Sequence, residues 1–95
     1  MKTKKLKVEV RRKEIKNGKC QDRFGCAIAL GLLRIPGLIE PCVGQAWMSF
    51  IYQGSYYSVA TPYRAGRFMS RFDDTDDEPA EKAKLKPFSF QLALS

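Results

Sequence analysis

The amino-acid sequence predicts an α+β domain in the order β-α-β-β-α-β, with two helices packed on one face of a four-stranded sheet. Apolar and polar residues alternate near both ends of the chain, as half-buried strands require. Two segments between them carry helical signals, and Gln53-Gly54-Ser55 reads as a hairpin turn joining two strand-like runs. A ferredoxin-like sandwich has this order, and crossovers of other lengths would build a different α+β sheet from the same elements.

The first strand covers 6–11, LKVEVR, with Leu6, Val8 and Val10 on one side and Lys7, Glu9 and Arg11 on the other. Lys13 to Gly18 reads as a short turn ending at the breaker Asn17-Gly18. Cys26 to Arg34 gives about three turns of helix. Asp22 is its candidate N-cap, Arg34 stands by its last carbonyls, and Pro36-Gly37 stops it. A loop runs on to Pro41. Residues 43–52, VGQAWMSFIY, are strand-like, with Ala46, Met48, Phe50 and Tyr52 on one face and Val43, Trp47 and Ile51 on the other. Apolar groups on both faces suit a central or interface strand. Tyr56 to Ala60 returns as a strand. Thr61-Pro62, an N-cap before a proline, opens a helix from Pro62 to about Phe72. The run DDTDDEP follows, so 73–84 is expected as an acidic, mobile loop. Residues 85–94 close the chain as a fourth strand, with Phe88, Phe90, Leu92 and Leu94 on one face. The whole of 1–95 is one domain.

From Gly25 to Leu33 there is no polar side chain, so the first helix has no wet face. A helix apolar all round is normally covered on every side, whereas a two-layer domain covers one. The second cover would be loop 35–42 or another subunit. A homo-oligomer is therefore expected, with Ile28, Leu32 and Trp47 at its interface. At the entrance stand Lys19 and Arg23. Beside the free N–H groups of a helix start they would make an anion site in principle. Asp22 capping those same groups is the competing reading.

The second helix presents the best-defined surface. At 100° per residue, Ala65, Phe68, Met69 and Phe72 form an apolar stripe about 100° wide. Arg64, Arg67 and Arg71 line one edge of that stripe, with Tyr63 beside them. No acid lies three or four residues before any of the three arginines. They form either a solvated face or a grip on phosphate or carboxylate, for which arginine offers a planar fork of donors.

The chain is 44% apolar and 28% charged, which suits a globular protein. Its net charge of +7 is uneven: residues 1–72 carry 14 Lys and Arg against 4 acids, and residues 73–95 carry 3 against 6. A basic body attracts phosphate-bearing partners or an acidic protein face. The opposed charges also suggest that the acidic loop shields the basic face. No apolar run approaches the roughly 18–20 residues of a membrane span, and the basic start lacks the apolar core of a signal peptide. A cytoplasmic protein is expected. Cys20, Cys26 and Cys42 show no repeated C-x-x-C spacing, so reduced thiols are expected. Without histidine there is no Ser-His or Cys-His pair, and the acids at 73–78 lack the spacing of a calcium loop. No catalytic residue, metal or cofactor is predicted.

Three blocks of this chain resemble those of a group of short, mostly uncharacterised phage and bacterial proteins. The first is similar to I-x-x-G, a basic turn, then D-x-x-x-C-P-[IV]-A-L, matched by Ile15, Gly18, Asp22, Cys26, Ile28, Ala29 and Leu30. The second is similar to L-P-x-x-A-x-x-F-x-x-x-F-D, matched by Pro62, Ala65, Phe68, Phe72 and Asp73. Pro87, Phe88, Phe90 and Leu92 match a third, P-F-x-F-x-L. Residues 35–60 are unmatched, and Ala27 and Thr61 replace the group's usual proline and leucine. The resemblance implies a shared fold and a phage setting, in the host cytoplasm, where small basic binders counter host defence.

Three functions are open to such a chain. The first is a non-enzymatic oligomer that sequesters an anionic nucleotide with Arg64, Arg67, Arg71 and Tyr63. The second is a nucleic-acid binder in which Tyr56 and Tyr57 stack on bases. The third is an inhibitor that docks its basic face on an acidic host defence protein.

Overall fold

Lys4–Val10 (β1) and Phe88–Leu94 (β5) lie antiparallel in the computed structural model, which describes residues 4–94. Leu6 opposes Leu92 and Val8 opposes Phe90, and all four are buried, as the alternation predicts. Leu38–Val43 (β2), Trp47–Tyr52 (β3) and Ser55–Ala60 (β4) form a second antiparallel sheet in the order β2-β3-β4. The fold is thus α+β, but β1 and β5 pair apart from the other strands. The single four-stranded sheet, and with it the ferredoxin-like arrangement, gives way to two sheets.

β3 is central, one of the two placements its apolar faces allow, but it is shorter than the expected 43–52, because Val43 ends β2 and the chain turns before Trp47. Its hairpin to β4 turns at Gln53 and Gly54, with φ of 51° and 82°, the paired left-handed residues of a type I′ turn. β2 was not anticipated, because Pro41 and a register break between Ile39 and Cys42 interrupt its alternation. Glu40, at φ 54°, makes the bulge. An edge strand tolerates this proline, since only one side of β2 is paired with a strand.

Where the sequence suggests a turn, Arg12–Asn17 form a helix, α1. Glu14 accepts a hydrogen bond from the Arg11 N–H at 2.9 Å, and Ile15 is fully buried beneath the helix. α2 covers Ala27–Leu33. Its N-cap is Cys26, whose sulfur accepts from the Ala29 N–H, and not Asp22. Asp22 instead closes the turn before the helix, accepting from the N–H groups of Phe24 and Gly25.

The expectation that a second subunit covers this helix through Ile28 and Leu32 is corrected. α2 touches β1, β2, α1 and α3, so elements of its own chain cover most of it, and only the side with Leu30, half-buried, and Leu33, exposed, stays open. Ile28 and Leu32 are 1% and 0% exposed and belong to the core that both sheets share. The two-sheet architecture supplies the cover that a two-layer domain lacks. A Cβ on Gly31 would stand 2.8 Å from the Glu9 carbonyl oxygen, so only glycine lets α2 lie this close on β1. Trp47, the third residue expected at an interface, is exposed at the start of β3.

Tyr63–Asp73 form α3. Its N-cap is Pro62, one residue later than expected, while the Thr61 hydroxyl donates to the Gly44 carbonyl at 2.7 Å and ties the helix start to the β2–β3 turn. The segment expected as an acidic, mobile loop runs as turns at 74–77 before a single helical turn. It contains the short helix α4, Pro79–Lys82, and two of its acids are anchored, while Asp74, Asp76 and Glu78 are exposed. Asp73 accepts from the Gln21 N–H and Asp77 from the Cys20 N–H, both at 2.9 Å. Among the described residues, no helix is long and apolar enough to cross a membrane.

Candidate functional site

α3 divides its residues as the helical spacing predicts. Ala65, Phe68, Met69 and Phe72 are buried. Arg64, Arg67 and Arg71 are exposed, and the structure brings all three to one groove of about 560 Å³. Its opposite wall is the segment that leads into β5: Lys84, Leu85, Lys86, Pro87 and Phe88.

The floor is aromatic. Phe68 and Phe88 meet with ring centroids 4.6 Å apart, and Phe72 and Phe90 extend the cluster at 5.8 and 5.7 Å. This packing fixes the backbone on both walls, so the cationic side chains rise from a rigid base.

Among the described residues, five cations line the groove and no acid does. Among the described residues, none of the three arginines forms a salt bridge, while Lys84 pairs with Glu81 at 3.0 Å. Arg67 lies over the Tyr63 ring, 5.8 Å from its centroid, a contact worth about 0.5–1 kcal/mol at an exposed site. Tyr63 itself is 77% exposed. It lines an adjoining groove of about 450 Å³, which shares Arg64 with the first.

Lys19 and Arg23 do not join this site. Both are exposed on the loop between α1 and α2 and line none of the grooves described. That loop docks on the far end of α3, where the Cys20 thiol donates to the Phe72 carbonyl at 2.9 Å. Nor do Tyr56 and Tyr57 form a pair for stacking. They point to opposite faces of β4, and Tyr57 packs on Phe50 with centroids 5.9 Å apart. The shielding expected of the acidic segment is not seen in Asp73 and Asp77, which are bonded to the 20–21 backbone away from the groove.

Sequence reasoning missed Lys84 and Lys86. The alternation of Lys82, Lys84 and Lys86 ahead of the last strand was the available signal. Lys82, however, is buried and takes no part in the groove.

The pKa perturbations lie elsewhere. Burial, first of all, pushes the Cys26 thiol above its ordinary value. The Cys20 N–H and the Lys82 ammonium hold the Asp77 carboxyl below the usual carboxylate range. Hydrogen bonding and charge from Arg11 do the same for Glu9. Among the described residues, no group of three or more His, Cys, Asp or Glu is placed to hold a metal ion.

Comparison with protein-family models, with curated proteins and with solved structures finds no match to this chain.

Proposed function

We propose that the protein is a non-enzymatic binder of a phosphate-bearing ligand of nucleotide type, held in the α3 groove. One observation carries the reading: Arg64, Arg67 and Arg71 converge with Lys84 and Lys86 on a groove that no acid lines. Like charges gathered this closely repel one another, and the arrangement gains stability when an anion enters. Arginine forks suit phosphate oxygens, and the aromatic floor at Phe68 and Phe88 offers apolar surface for a base.

The lining supports binding over catalysis. It contains Arg, Lys, Phe, Leu and Pro, with no carboxylate, thiol or hydroxyl to serve as base or nucleophile. In the phage setting that the sequence resemblance suggests, such a binder would withhold a host nucleotide signal.

Titration calorimetry against mono- and dinucleotides, linear and cyclic, tests this reading. Arg67→Ala is expected to weaken binding by about 1.5–3 kcal/mol, the range for a hydrogen bond to a charged group. Absence of binding across the panel, with inorganic phosphate also inert, would retire it.

A further inference from the structure

The α3 groove is not isolated. Arg64 joins it to the groove beside Tyr63. Lys7, on the outer face of β1, joins that second groove to a third of about 350 Å³ at the end of α2. Arg11 and Arg34 join the third to a fourth, of about 480 Å³, between α1 and α2. Consecutive grooves thus share a cation at every junction.

Among the described residues, nine Lys or Arg line this band against two acids. Both acids are already engaged. Glu9 pairs with Arg11 at 2.6 Å and with Lys7 at 3.7 Å, and Glu14 is buried and pairs with Arg34 at 3.0 Å, which leaves the band with a large excess of positive charge. A single nucleotide would occupy one groove and leave most of that excess charge unneutralised. A linear polyanion would use the junction cations in turn.

We propose that a single strand of nucleic acid runs along this band, passing from the α3 groove to the β1–β5 sheet at Arg64 and on past Lys7 to Arg11 and Arg34. This rests on the reading of the α3 groove as a phosphate site. Single-stranded rather than duplex nucleic acid fits because the path carries an exposed ring, Tyr63, beside Arg64 and with Arg67 over one face, and a half-buried one, Phe88. Unpaired bases stack on such rings, whereas a duplex keeps its base faces to itself. The polar ladder of Ser89 and Gln91 beside Lys7 adds neutral donors where the strand crosses β5.

The test is fluorescence anisotropy with labelled oligothymidylates and oligouridylates of about 4 to 16 nucleotides, the site sizes of small single-strand-binding folds. Affinity is expected to rise about tenfold or more across the series. Three further phosphate contacts should steepen the salt dependence by about two between roughly 50 and 200 mM salt. Lys7 is exposed, its side chain at 63%, so Lys7→Glu should fold, as circular dichroism will show. It is expected to abolish the gain with length by cutting the band at one junction.

Four results would overturn the proposal: affinity independent of length, an undiminished gain in folded Lys7→Glu, duplex bound as tightly as single strand, or nucleotides bound but no oligonucleotide. Each leaves the phosphate reading of the α3 groove standing. Failure of nucleotides and oligonucleotides alike would retire both.

Discussion

Lys82 donates from its ammonium to the Gly18 carbonyl oxygen at 2.6 Å, across 64 positions of sequence. The same ammonium pairs with Asp77 at 3.0 Å and lies 5.2 Å from the centre of the Phe72 ring. One buried cation thereby ties the end of α1, the acidic segment and α3 together. Lys82→Met keeps the apolar stem and removes the donor. It is expected to destabilise the fold by about 1–3 kcal/mol, as a buried acceptor loses its partner. Urea unfolding should show a lower midpoint at an unchanged slope.

Asp77 predicts how stability responds to acid. The Cys20 N–H, and then Lys82, depress its folded pKa below the unfolded value near 4. Stability from this carboxylate is therefore complete above about pH 4 and is lost as pH falls through the lower folded value. Asp77→Asn should be less stable at neutral pH and lose less on acidification. Parallel acid limbs in the two chains would show that the carboxylate contributes nothing.

Thiol labelling should separate the three cysteines. Thiolate is the reactive form, and burial both hides Cys26 and raises its pKa. Cys20 and Cys42 are half-buried. In native protein an aromatic disulfide reagent is expected to modify two thiols and to reach Cys26 only on unfolding. Three equal rates would contradict the placement of Cys26 at the start of α2.

Gly31→Ala sets two effects against each other. Helix propensity favours alanine by about 1 kcal/mol. The new Cβ, 2.8 Å from the Glu9 backbone oxygen, forces α2 away from β1, and overpacking of this kind costs about 1–3 kcal/mol. The contact is with backbone, which cannot rotate aside, so a net loss is expected. A raised melting temperature would mean that the helix and the strand separate freely.

The groove arginines should matter little to folding. Arg64, Arg67 and Arg71 are exposed and bridge no acid among the described residues. Replacing any one by alanine is expected to move stability by no more than about 0.5 kcal/mol. A larger loss in thermal unfolding would assign them a structural role and weaken the binding proposal.

Elements whose signals are local were legible. The alternation of Phe88, Phe90, Leu92 and Leu94, the apolar stripe of α3 and the Gln53-Gly54 turn all appear where the sequence places them. α1 escaped because six residues offer too little periodicity, and the burial of Ile15 is decided by tertiary packing. β2 escaped because Glu40 and Pro41 break its pattern. The acidic run looked solvated because Asp73 and Asp77 find their partners more than fifty residues upstream, at Gln21 and Cys20. The three arginines of the site were visible as one helix edge. Lys84 and Lys86 were not, because the opposite wall comes from a different part of the chain.

The pairing of β1 with β5 also sets a schedule for folding during synthesis. Val8 meets Phe90, and among the described residues no other strand pairs with β1. When β1 leaves the ribosome, about 80 further residues must follow before its partner exists. At roughly 5–20 residues per second that is a wait of about 4–16 s. The β2-β3-β4 sheet, built from sequence neighbours, can form in that interval. β1 meanwhile stands as an unpaired edge, and its charged residues, Lys4, Lys5, Lys7 and Glu9, are the kind that discourage pairing with a neighbouring nascent chain.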